Sequence, residues 1–376
     1  MAYSDLKKLK KEEIKDITKV EVDNLIVGGD LFALASYEFF KNKFADENTK
    51  ILTKEMLTKE STSFLGPNIL RGEENVSYLK NVFEHAEIVE KTETPKFYKD
   101  MKFKPFGGRG KSEKLMWGEE FFTTAAADYS LEKIFPFVSD DEFYTKAKED
   151  QIDLIYTKIF KDDDTWVIEC SNGTQIFAKK LVWSESPWKF YEESIAKEKL
   201  SNEFIEFVES TKTPCALHVK LEFDKEITKQ DETLLIPLSY THDWGHFICE
   251  FSKSESENSP QTGHFLTFID VNDTNEEDIS KKIRLLKRNL EKIYPHFKDI
   301  NAREFIVLTE NTHSLEFDDS FFLEGQPYLK NAYFISSSAP FYYENKSDDS
   351  DADSLDCLTH LSRGLKVLLQ FKNLLS

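Results

Sequence analysis

The chain has 376 residues, 40% of them hydrophobic, including 32 Phe and 14 Tyr, which is ample for a large core or for two domains. Its 49 Lys and Arg stand against 69 Asp and Glu, and the net charge of −20 argues against nucleic acid or a membrane as the main partner, because phosphate backbones and anionic lipid are repelled. Cys170, Cys215, Cys249 and Cys357 form no C-x-x-C pair, so free thiols in a reducing cytoplasm are expected rather than a zinc site.

The opening stretch "MAYSDLKKLKKEEIKDITKV" reads as a short charged helix without the apolar core of a signal peptide. No window approaches about eighteen consecutive apolar residues, and a soluble cytoplasmic protein is expected. "DNLIVG", residues 23–28, is an apolar run closed by glycine, as in a buried parallel strand. "LFALASYEFFKNKF" follows with Leu31, Leu34, Ala35 and Phe39 at helical spacing, and "TKILTKE" reads as a second strand. Strand, glycine turn, helix and strand make a βαβ unit.

Residues 60–150 are mixed and include the glycine-rich "KPFGGRGKSEK". There Arg109 could hold an anion, although the spacing is not that of a phosphate loop. "QIDLIYTKI" has β character, and "TWVIEC" and "TQIFAKKLVW" are joined at Asn172-Gly173, a two-residue hairpin signal. Residues 190–212 read as helical. "CALHVKLEF", "ETLLIPLSY", "HFICEF" and "HFLTFIDV" read as strands. Ile279, Ile283, Leu286, Leu290 and Ile293 mark one face of an amphipathic helix. "AREFIVLTE" and "NAYFISSS" are further strands, and "SLDCLTHLSRGLKVLLQFKNLL" is a closing helix. His242 and His246 in "THDWGHF" would share a strand face roughly 13 Å apart, too far for one metal ion. Cys215 and His218 would face opposite sides of their strand, which argues against a catalytic pair.

The N-terminal βαβ, "QIDLIYTKI", the hairpin ending "AKKLVWSESP" and the strand and helix around Gly364 come in an order that resembles the flavin-dependent amine oxidase and protoporphyrinogen oxidase superfamily. The resemblance is one of pattern and spans most of the chain. It implies a two-lobed α/β fold. A discontinuous Rossmann-like FAD-type domain would come from residues 15–60, 150–190 and 328–376, and a mixed α+β substrate-like domain from 61–149 and 191–327.

In that family the first loop reads G-x-G-x-x-G, whose glycines allow the tight turn, the approach to the pyrophosphate and close helix packing. Gly28 matches the first position, Gly29 follows it, Asp30 stands at the second and Ala33 at the third. The Asp30 carboxylate would occupy the approach and cap the helix itself. Two unit charges about 4 Å apart at an effective dielectric near 20 repel by about 4 kcal/mol. The acid that would accept from the adenosine ribose falls near Lys54, with Glu55 one step beyond and, were the strand to persist, on its other face. The Gly-Asp expected after the closing strand is replaced by Ser336-Ser337-Ser338. Tyr342 or Tyr343 would be placed to frame an amine substrate, and Trp117 could line the substrate-like lobe; core packing is the plainer role for each.

With several cofactor positions altered together, the sequence points to a diverged amine-oxidase-like protein. Its FAD binding would be lost or weakened, and it would act as a binding or scaffold protein. The alternative is an active FAD-dependent oxidoreductase on an amine or related apolar substrate. A third reading places a different nucleotide or lipid-like ligand in the old cleft.

Overall fold

The computed structural model describes residues 18–59, 70–71, 88–91, 95–105, 126–129, 134–210, 215–240, 245–309, 329–336, 338–339 and 360–375. In chain order, the first elements are strand β1 (Lys19–Val27), helix α1 (Leu31–Lys43) and strand β2 (Thr49–Leu52). Short strands follow: β3 (Leu70–Arg71), β4 (Ile88–Lys91), β5 (Lys96–Lys99), β6 (Lys102–Pro105) and β7 (Ala126–Tyr129). Next come α2 (Asp141–Glu149), β8 (Gln151–Ile152), β9 (Tyr156–Asp162), β10 (Thr165–Cys170), β11 (Gln175–Trp183), α3 (Pro187–Glu193) and α4 (Asn202–Ser210). The remainder holds β12 (Cys215–Phe223), β13 (Leu234–Pro237), β14 (His246–Phe251), β15 (Gln261–Ile269), α5 (Glu276–Ile293), β16 (Ala302–Thr309), β17 (Ala332–Phe334) and α6 (His360–Leu374).

The first sheet runs β8-β2-β1-β11-β10-β9. β1, β2, β8 and β11 are mutually parallel, whereas β10 returns antiparallel onto β11 and β9 pairs antiparallel with β10. β10 pairs with Gln175–Ala178 of β11, and β17 takes the other end of β11, pairing in parallel at Leu181–Trp183. A strand enclosed on both faces needs consecutive apolar residues, and Leu25, Ile26 and Val27 provide them with no exposed surface. α1 is buried on most sides through Leu31, Phe32, Ala33, Leu34, Ala35, Tyr37 and Phe40. The β10–β11 turn forms where the residue types demand it. Gly173 takes φ +86°, and the Asn172 side-chain oxygen accepts the Thr174 N–H at 3.0 Å.

The second sheet, β16-β12-β15-β14-β13-β5-β6, is antiparallel except for the β13–β5 pair. α5 covers one face: Ile283, Leu286 and Leu290 are buried there, with Ile279 and Ile293 packed at the margin. Cys215 belongs to that core, whereas His218, three residues on, does not, as alternation along β12 requires. A third sheet, β3-β7-β4, is small. The region expected as one helical stretch near 190–212 divides into α3, a 3-10 turn at Lys197–Lys199 and α4. The second strand stops at Leu52, earlier than "TKILTKE" suggests, and the closing strand stops at Phe334, before the serines.

The protein is thus of α/β class with a Rossmann-like first sheet. No helix among the described residues is long and apolar enough to cross a membrane. Cys170, Cys215 and Cys249 are buried free thiols. His242, Cys357 and the N-terminal charged segment lie outside the described residues.

Candidate functional site: the carboxyl ends of the parallel strands

In open α/β sheets a ligand sits beyond the carboxyl ends of the strands, where two neighbouring strands send their connections to opposite sides. Here the neighbouring parallel strands β1 and β11 lead into α1 and α3, and their carboxyl ends meet at Gly28 and Ser184. Gly28 ends β1 with φ +120°, a conformation that favours glycine. A β-carbon placed on Gly28 would lie 2.3 Å from Ser184 Oγ, so the turn is pressed against the residue that follows β11.

Asp30 is the N-cap of α1. Its Oδ1 accepts the Ala33 N–H at 2.8 Å and the Ser184 hydroxyl at 2.9 Å. The Ser184 N–H itself bonds the Val27 carbonyl at 3.0 Å. One carboxylate oxygen therefore ties the amino end of α1 to the end of β11. Burial pushes the Asp30 carboxyl up to about 7, against the lowering pull of Ala33 and Ser184, and the neighbouring acids Glu55 and Glu185 push the same way.

Glu55 reaches this point because the chain leaves β2 at Leu52 and turns. Thr53 N–H bonds the Ile152 carbonyl at 3.2 Å, and the Gln151 amide donates to the carbonyls of Thr53 and Glu55 at 3.0 and 2.9 Å. The turn lays the Glu55 carboxylate over Gly29, where a β-carbon would meet Oε2 at 3.0 Å. Lys54 instead points outward, half exposed, and pairs with Asp153 at 3.5 Å. On the other side Glu185 accepts the Tyr156 hydroxyl at 2.5 Å and pairs with Lys189.

The arrangement is that of a self-capped helix end. An anion at a helix N-terminus needs free N–H donors and a positive field. Here the Ala33 N–H is already satisfied, and three carboxylates surround the position.

Of the other positions singled out in the sequence, Ser336 and Ser338 lie beyond β17, buried, with hydroxyl oxygens 3.2 Å apart. Gly364 is buried in α6 against Phe32 of α1: a β-carbon there would lie 2.0 Å from the tip of the phenyl ring. Ser337, Arg109, Trp117, Tyr342 and Tyr343 lie outside the described residues. Among those described, no group of three or more His, Cys, Asp or Glu is arranged to hold a metal ion. The sequence reading did not single out Ser184, Glu185 or Phe32. The "WSESP" that closes the apolar run of β11 is the local signal for the first two; Phe32 carries none beyond its place in the first turn.

No protein-family model matches the sequence, and neither does any curated protein. Solved structures do share its fold. A candidate protoporphyrinogen oxidase from Exiguobacterium sp. 255-15 aligns at a TM-score of 0.56 with 10% identity, over 95% of this chain and 99% of that one. Cyclohexylamine oxidase from Brevibacterium oxydans IH-35A aligns at 0.54 with 9% identity, over 94% and 98%. An oxidoreductase from Methanosarcina mazei aligns at 0.54 with 11% identity, over 84% and 95%. At these identities the likeness is one of fold: the chain shares the overall fold of these three proteins.

Proposed function

We propose that this protein is an amine-oxidase-like fold with lost or weakened FAD binding, acting as a binding or scaffold protein. One observation carries the reading. The Asp30 carboxylate takes both the Ala33 N–H and the Ser184 hydroxyl at the place where a diphosphate would lie, with Glu55 and Glu185 beside it. A charged diphosphate there would displace a satisfied cap and face several acids at short range. The apolar strands and helices that build the fold need no ligand to pack: β1, β11 and α1 are buried against protein side chains.

A second reading, an FAD-dependent oxidoreductase acting on an amine or related apolar substrate, is favoured by Glu55. Its carboxylate lies over the glycine turn, where it offers acceptors of the kind a ribose hydroxyl needs. Purification of the full chain without added flavin separates the two. The first reading expects a colourless protein and no flavin released on denaturation. A yellow protein releasing stoichiometric FAD overturns the first and favours the second, which flavin reduction by an amine would then establish.

A further inference from the structure

The two sides of α5 differ in chemistry. Ile283, Leu286 and Leu290 are buried in the core of the second sheet. Glu276, Glu277 and Asp278 occupy the first turn, where acids suit the partial positive charge of a helix amino end. From Lys281 to Lys292, however, six cations stand against one acid, Glu291, in a chain whose net charge is −20. Lys287 leans to the flank and pairs with Glu304 of β16, and Glu291 pairs with Lys298 at 3.6 Å. Lys281, Arg284, Arg288 and Lys292 are exposed. Steps of three and four residues place them in one row on the outer side of the helix, about 16 Å long at about 1.5 Å per residue. Arg284 Nε donates to the Ser280 carbonyl at 3.3 Å, and Lys292 lies 4.7 Å over the Tyr240 ring. Among the described residues no acid forms an ion pair with Arg284, Arg288 or Lys292. The helix dipole accounts for Lys292 in the last turn but not for Arg284 and Arg288 in the middle. The chain has six arginines, and these are two of them.

We infer that the outer row of α5 is a docking surface for a carboxylate-rich segment of a partner protein. Burial of the apolar side makes α5 part of the core; the outer cations add nothing to that packing and are left to act on something else. Guanidinium forks match carboxylates in two-point geometry, and Arg284 and Arg288, one helical turn apart, present two of them side by side. A membrane surface fits less well, because none of the four outer positions carries an apolar side chain to insert. A nucleic acid also fits less well. It extends past a row of about 16 Å and then meets the acidic remainder of the molecule, which repels it. At about 0.1 M salt fields decay over about 10 Å, so a short acidic segment on this row responds to the local cations rather than to the total charge. The surface is separate from the first sheet, and the inference holds whether or not flavin is bound.

The test titrates the full chain into a fluorescein-labelled poly-glutamate peptide at about 0.1 M salt and follows anisotropy. The wild type is expected to bind. The double variant Arg284→Glu/Arg288→Glu is expected to bind at least about tenfold more weakly. Lys179→Glu/Lys253→Glu, an equal change of charge at exposed positions outside α5, is expected to bind within about twofold of wild type. No binding by the wild type, or equal weakening by both double variants, overturns the inference. So does tighter binding of a DNA duplex or of phosphatidylserine vesicles that is lost in the Arg284→Glu/Arg288→Glu variant, because the partner is then a different polyanion. Should that variant not melt cooperatively, Arg284→Gln/Arg288→Gln, which removes both charges without adding acids, takes its place and is read in the same way.

Discussion

The two ends of α1 place two aspartates in opposite surroundings. At the amino end Asp30 has only a backbone N–H and a serine hydroxyl for partners, with Glu55 and Glu185 nearby, and its carboxyl is pushed up to about 7. On the flank of the helix Asp150 is bound by Lys41 and Lys50, both at 2.7 Å, and by the Tyr37 hydroxyl at 2.8 Å. Burial raises the Asp150 carboxyl, but the two lysines and the tyrosine outweigh it and hold the group below its usual range. The difference separates an ion-paired brace from a helix cap. Where the fold needs a charge, as between α1, β2 and the start of β8, it supplies cations. At the amino end the acid lies at an amide and a hydroxyl instead, with Glu55 and Glu185 the strongest charges acting on it.

The comparison can be broken most sharply at Gly28, the turn on which the amino-end arrangement depends. Gly28→Ala puts a methyl group against Ser184 at positive φ, and a loss of about 3 kcal/mol is expected from strain plus the lost Ser184–Asp30 contact. A denaturant midpoint within error of wild type would mean that the turn is not clamped as described.

Next in size is Asp150→Ala, which strands Tyr37 and two lysines and is expected to lose about 2 kcal/mol at neutral pH. The folded pKa of Asp150 lies below its unfolded value of 3.8, so its stabilisation is present above that value and is lost as pH falls through the folded pKa. The gap between variant and wild type should therefore close in acid. Melting curves from pH 7 down to about pH 2 check this.

Asp30→Asn should behave in the opposite sense and by less. The folded pKa of Asp30, about 7, lies above its unfolded value of 3.8, so wild-type stability from this group is complete below pH 3.8 and is lost as pH rises through about 7. Asparagine caps as well as aspartate and does not ionise. The variant is expected to equal wild type in acid and to exceed it by roughly 1 kcal/mol at alkaline pH, a value discounted for partial exposure. A variant less stable than wild type at alkaline pH would show that the Asp30 charge is favourable where it stands.

Much of the first sheet was legible in the residues themselves. A run such as Leu25-Ile26-Val27 suits a strand buried on both faces, and Asn172-Gly173 is a strong signal for a tight turn between two strands; both are found. Asp30 was readable as a cap because it immediately precedes an apolar helix. Its partner was not readable, since Ser184 lies 154 residues away and meets it only because β1 and β11 pair in parallel. Glu55 illustrates the same limit. Alternation along an assumed strand would send Lys54 and Glu55 to opposite faces, but the strand ends at Leu52 and the turn after it is set by hydrogen bonds from Gln151.

The sequence by itself determined which segments are apolar strands and helices, where glycine permits a turn, and that an acid stands at the first crossover, because these follow from backbone sterics and the transfer of side chains out of water. Only the tertiary structure decided what that acid touches, that Glu55 and Glu185 join it, and that Phe32 rests on Gly364. Such contacts join residues far apart in the chain, and they arise from the pairing of strands and the side-by-side packing of α1 and α6 rather than from any local pattern.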